Sequence, residues 1–112
     1  MKKKDIIKES IIFNDVINNG KCLKNHYYNI FYKENDLNRS LFGFAIGKKI
    51  GNAVTRNKNK RQLKNIVDYN HNLFSNCYYY IIMVKKDINS LSYQEKEKYL
   101  LELLNKENTN EK

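Results

Sequence analysis

The sequence predicts an α+β fold, and three observations carry that expectation. Apolar residues recur at helical spacing near both ends and in the middle, aromatic and β-branched runs lie between them, and turn residues mark the joins. The expected order is α-β-β-α-β-α, a single-domain two-layer sandwich whose one sheet has helices on one face and an open cleft on the other. With 112 residues, the chain has room for one core of the kind that domains of about 100 to 150 residues build. The domain is expected to span 1–112, with 1–7 and 107–112 as flexible ends.

Ser10 stands as the cap of a short helix in which Ile12, Phe13, Val16 and Ile17 share a face, and Asn18-Asn19-Gly20 stops it. Tyr27 to Lys33 is rich in aromatic and β-branched residues and reads as a strand, followed by a turn from Lys33 to Arg39. Its hairpin partner is expected at Leu41 to Lys48, where Phe42, Phe44 and Ile46 alternate with Gly43, Ala45 and Gly47. Alternation gives that strand one bulky face for a core and one bare face. The bare face is either a shallow floor on which another molecule lies close to the backbone, or a set of twist and bulge points.

Gly51 to Tyr69 reads as a helix with Asn52 at its N-cap. At about 100° per residue, Leu63, Ile66 and Val67 form an apolar arc, and Asn57, Lys60, Arg61 and Lys64 occupy the arc beside it. Asn59 falls inside the apolar arc, as though the first turns extended beyond the core. Cys77 to Val84 is a continuous apolar and aromatic run, the pattern of a central strand buried on both faces. Ser92-Tyr93-Gln94-Glu95 is a capping box, opening a helix to about Lys106 with Leu100, Leu103 and Leu104 as its buried stripe.

Twenty-one Lys and Arg against twelve Asp and Glu give a formal charge of +9 and a pI near 9.5. That balance implies a polyanionic partner, with nucleic acid ahead of an anionic membrane surface and mere solubility as the bland use of the charge. The longest apolar run, Tyr78 to Val84, is seven residues, whereas a membrane helix needs about twenty. Cys22 and Cys77 do not form a zinc pattern and no secretory segment is visible, so a soluble protein in a reduced cytoplasmic setting is expected. His26 and His71 have no partner at a spacing typical of a metal or acid-base site, and the acids are scattered, which argues against an autonomous nuclease. Lysine dominates the cations, and arginine is kept only at Arg39, Arg56 and Arg61. Two of them five residues apart point to a use for the planar guanidinium fork that lysine lacks.

Residues Gly47 to Lys64 read G-K-K-I-G-N-A-V-T-R-N-K-N-K-R-Q-L-K and hold seven cations: Lys48, Lys49, Arg56, Lys58, Lys60, Arg61 and Lys64. A solvated helix face is the ordinary explanation of such a run. The order of residues, however, closely resembles the signature of the bacterial ribonuclease P protein subunit, in which two lysines and an I-G-N-A-V turn lead into an R-N-R-x-K-R helix. A looser likeness covers nearly the whole chain, through Phe13 and Gly20, Phe31, the alternating Phe42 to Gly47, and Leu91 to Glu95. Two positions depart from the family pattern. Lys58 replaces the second arginine of R-N-R, and Asn59 replaces an apolar residue.

The resemblance implies an RNA-binding, non-catalytic subunit of a ribonucleoprotein endonuclease that removes the 5′ leader of precursor tRNA, one protein per RNA and away from membranes. Hydrolysis and its magnesium would belong to the RNA subunit, with no metal assigned to the protein. By the same resemblance Lys48, Lys49, Asn52, Arg56, Asn57, Lys58, Lys60, Arg61 and Lys64 contact the catalytic RNA. The resemblance also implies a cleft lined by Phe13, Phe31, Gly43, Ala45 and Gly47 that holds the single-stranded leader, a use that aromatic walls suit because they stack on any base. Core packing is the other use of Phe13 and Phe31. A small basic ribosomal protein would share the composition, but the G-N-A-V-x-R-N string argues against that rival.

Overall fold

The computed structural model describes Met1 to Asn110, with side chains as far as Asn105. Its elements are α1 (Ser10–Asn19), β1 (Lys21–Lys24), β2 (Tyr28–Glu34), β3 (Leu41–Ala45), α2 (Ala53–Tyr69), β4 (Tyr78–Val84) and α3 (Tyr93–Asn110). The α+β class is as expected, with one strand more than the sequence suggested: the order is α-β-β-β-α-β-α. Lys21-Cys22-Leu23-Lys24 is too short to show a pattern of its own and is a strand because it pairs with β2, Cys22 opposite Phe31.

The sheet order is β1-β2-β4-β3, so the expected hairpin between the second and third strands does not form. β4 lies between them, antiparallel to β2 and parallel to β3. The reason is burial: the most continuously apolar segment takes a central place where both of its faces are covered. Parallel pairing of β3 with β4 then requires a long crossover, and α2 supplies it.

α2 and α3 pack on the sheet face that carries Tyr28, Ile30, Tyr80, Ile82 and Val84. α1 lies on the opposite face, where Val16 meets Ile81 and Leu41 and where Phe13 and Phe31 join the cluster. The face expected to be open is therefore partly roofed by α1, because the helix has an apolar side to bury. Gly20 closes α1, its N–H donating to the Val16 carbonyl, as the stop signal implied. Ser10 is the first residue of α1 and not its cap; Glu9 precedes it and no side chain caps that end.

Residues 1–7, expected as a flexible end, are tied to the sheet. Ile6 bridges Phe42, the Ile7 N–H donates to the Phe42 carbonyl at 2.8 Å, and Ile7 is buried. At the other end α3 continues helically to Asn110, and residues 111–112 of the second expected flexible end lie outside the described residues. The capping box closes as read: the Ser92 N–H donates to Glu95 Oε1 at 2.9 Å and the Glu95 N–H to Ser92 Oγ at 3.2 Å. Among the described residues, no helix is long and apolar enough to cross a membrane.

Candidate nucleic-acid interface

β3 ends at Ala45, so Lys48 and Lys49 sit not on a strand but on a single 3₁₀ turn, Lys48–Ile50. Gly51 follows with φ 153°, a backbone conformation that L side chains rarely adopt, and a Cβ there would lie 3.0 Å from the Thr55 side chain. Asn52 then starts α2 as the sequence suggested, its Oδ1 accepting the Thr55 N–H at 2.9 Å. Gly51→Ala is therefore expected to destabilise the protein by about 1–3 kcal/mol, measured by urea unfolding. An unchanged midpoint would mean the turn relaxes freely.

On α2, Asn57, Lys60, Arg61 and Lys64 line one shallow hollow together with Asn65 and Met1, as their shared arc implied. Arg56 is half-buried, and its Nε is buried with no hydrogen-bond partner. Among the described residues, none of the seven cations of Gly47 to Lys64 is in an ion pair; the three ion pairs found involve Met1, His26 and Lys33. Lys58 stands apart from the hollow, close enough to Lys96 of α3 to oppose its charge.

A second concavity, an open groove of about 1060 Å³, lies between Phe13 of α1 and the C-terminal ends of β3 and β4. Phe13, Ala45 and Gly47 line it, with Lys48 and Lys49 on its rim. Phe31 and Gly43 are not part of it. Gly43 is buried beneath Phe13, where a Cβ would come 2.8 Å from the ring, so its bareness serves the close seating of α1. Phe31 packs into the α1-facing cluster. Sequence reasoning missed Met83 and Lys86, which also line the groove. Met83 is opposite Ala45 in the β3–β4 register, a relation invisible until the strands are known to be neighbours.

Asn59 has a physical explanation. It is 1 % exposed, and its Nδ2 donates to the Thr55 carbonyl at 3.1 Å and to Asn89 Oδ1 at 2.9 Å. Asn89 in turn donates to the Ile50 carbonyl at 2.7 Å. Asn59 Oδ1 accepts from the Lys96 ammonium at 3.0 Å, and Gln62 Oε1 accepts from the same nitrogen at 2.7 Å. Lys96 is 5 % exposed and has no carboxylate partner among the described residues. Burial, and then the nearby charge of Lys58, hold its ammonium below the ordinary lysine range. A chain of polar contacts thus runs from α3 through α2 to the turn bearing Lys48 and Lys49. Asn59 does not protrude beyond the core; it carries a polar seam through it.

His26 does find a partner, Asp87 Oδ2 at 2.6 Å, and both side chains are exposed. Burial pushes the Cys22 thiol up, away from a reactive thiolate. Among the described residues, no three His, Cys, Asp or Glu side chains converge as metal ligands.

A family model described as Ribonuclease P matches residues 1–108. The ribonuclease P protein component of Mycoplasma mycoides subsp. mycoides SC is 41% identical over 105 residues, covering 93% of this chain and 96% of that protein. That of Streptococcus pneumoniae serotype 4 is 32% identical over 104 residues, covering 93% and 85%. In three dimensions the chain is similar to the RNase P protein from Thermotoga maritima, with a TM-score of 0.81 at 23% identity over 88% of this chain and 94% of that one. The RNase P protein of Staphylococcus aureus superposes with a TM-score of 0.83 at 22% identity, covering 90% and 93%.

Proposed function

The chain belongs to the ribonuclease P protein family, and we propose that its α2 ridge binds the catalytic RNA while the groove beside α1 takes the 5′ leader of precursor tRNA. The protein component of ribonuclease P serves in processing the 5′ end of precursor tRNA, and association with the ribonuclease P RNA and with that precursor comes with membership. The assignment of surfaces rests on one observation above all: the cations of Lys48 to Lys64 lie on a turn and helix that are exposed or half-buried, and among the described residues none has an acid partner. Uncompensated cations this close repel one another and are relieved by a polyanion.

Arg56, Asn57, Lys60 and Arg61 are assigned to phosphate and sugar contacts, which position the protein without reading sequence. The groove suits a single strand for a different reason. Its floor at Ala45 and Gly47 is low, Phe13 offers an aromatic wall, and Lys48, Lys49 and Lys86 stand where a backbone would pass. Base stacking on such a wall is worth about 1–3 kcal/mol per base and tolerates any sequence. In this reading Gly43 and Phe31 shape the cleft from beneath, magnesium sits on the RNA, one protein serves one RNA, and the protein does not cleave alone.

Fixed positive charge replaces diffuse cations where two polyanions must meet, so the protein lowers the magnesium requirement of the RNA. The test is reconstitution: purified protein added to a bacterial ribonuclease P RNA at low magnesium is expected to raise the rate of mature 5′ end formation. No stimulation would overturn the reading. With about five phosphates neutralised, log K against log salt is expected to fall with a slope of about −3.5 to −4.5; a flat response would remove its electrostatic basis.

A further inference from the structure

We propose that Lys2, Lys4 and Arg39 form a second phosphate-binding patch, continuous with the α2 ridge across Met1, that takes the backbone of the same RNA. The proposal rests on the RNA-binding reading of α2. Met1 lines both hollows: the one with Asn57, Lys60, Arg61 and Lys64, and a neighbouring one with Lys2, Lys4, Arg39, Asp5 and Asp68. The two therefore form one surface, and it spans elements far apart in the chain.

Arg39 is one of three arginines in a chain that otherwise uses lysine, and the other two lie on α2. Lys2, Lys4 and Arg39 are exposed and, among the described residues, belong to no ion pair. The acids of the hollow do not cancel them. Asp68 accepts from the Met1 amino group, which leaves Asp5 as the acid against three side-chain cations.

The patch is also held in place. Lys2 and Lys3 carbonyls accept the Asp5 and Ile6 N–H groups, and Ile6 and Ile7 are fixed against Phe42 of β3. On the other side, Asn35 orders the turn: its Oδ1 accepts the Leu37 N–H at 2.9 Å, and its Nδ2 donates to the Arg39 carbonyl at 3.1 Å. Asn38 adopts φ 59°, the conformation that Asn tolerates at such turns. A planar fork and two ammonium groups around a hollow, on fixed backbone, suit phosphodiester oxygens, and little order is lost on contact.

The test uses the full chain and the catalytic RNA alone, without precursor, with affinity measured across a salt series. Replacement of Lys2, Lys4 and Arg39 by Gln together is expected to make the slope of log K against log salt shallower by about 2 to 3. A control with Lys21→Gln, Lys24→Gln and Lys98→Gln removes the same net charge from other exposed positions and is expected to leave the slope nearly unchanged. Equal effects of the two triples would overturn the patch, since only net charge would matter. No effect of the Lys2, Lys4, Arg39 triple, while Arg56→Ala with Arg61→Ala still weakens binding, would overturn the patch and leave the α2 reading standing. If that arginine pair also has no effect, the α2 reading itself fails.

Discussion

Arg56→Ala combined with Arg61→Ala is expected to weaken binding to the catalytic RNA by about 100-fold or more at moderate salt. Hydrogen bonds to charged groups contribute about 1.5–3 kcal/mol each, so two lost contacts amount to at least ~3 kcal/mol, and each 1.4 kcal/mol is about tenfold in affinity. Among the described residues neither guanidinium is in an ion pair and the Arg56 Nε has no hydrogen-bond partner, so little folding free energy should be lost with them. The melting temperature is expected to stay close to that of the parent chain. Arg56→Lys with Arg61→Lys separates charge from fork geometry: it should bind with intermediate affinity, because lysine keeps the charge and loses bidentate contact. Full recovery by lysine would mean the ridge acts as charge alone, which is also how Lys58 would then substitute for the family arginine. A binding curve unchanged by the alanine pair would remove α2 from the RNA interface.

Asn59→Ala is expected to destabilise the fold by about 3 kcal/mol, the scale on which removing one partner leaves a buried charge uncompensated. The substitution takes one of two acceptors from the Lys96 ammonium and opens the link to Asn89 and the Ile50 carbonyl. The double change Asn59→Leu with Lys96→Met should recover most of that loss, since apolar groups of similar volume often replace a buried polar seam without penalty. A single Asn59→Leu that unfolds no more easily than the parent would mean Lys96 reaches water and the seam carries no strain.

Lysine 96 also predicts a pH dependence. Its ammonium is held below the ordinary lysine value of 10.5 in the folded protein by burial and then by Lys58. Between that lowered value and 10.5 the unfolded chain binds more protons than the folded one, so stability rises with pH through that window. Lys96→Met should abolish the rise. Tyr28 acts in the opposite sense at higher pH: burial pushes its hydroxyl up, so the folded chain keeps a proton that the unfolded chain releases above about 10. The two windows meet between about 10 and 10.5, and Lys96→Met separates them because it removes only the first.

Local signals alone were enough for the elements whose stabilisation is local. The Asn52 cap, the Ser92–Glu95 capping box, the Gly20 stop and the β4 apolar run are each read from neighbours within one turn or one strand. The cationic face of Asn57, Lys60, Arg61 and Lys64 follows from helical geometry in the same way, and the G-K-K-I-G-N-A-V string carried the family. What only the tertiary structure decided was pairing across long sequence separations. Burial placed β4 between β2 and β3, and that placement set Met83 beside Ala45 in the groove. Close packing of α1 put Phe13 over Gly43, and the meeting of α2 with α3 turned Asn59 from a misfit into the acceptor for a buried lysine. Residues near in sequence constrain one another through backbone geometry, whereas residues 30 or more apart meet only when the whole core closes, and no local pattern records which of them will.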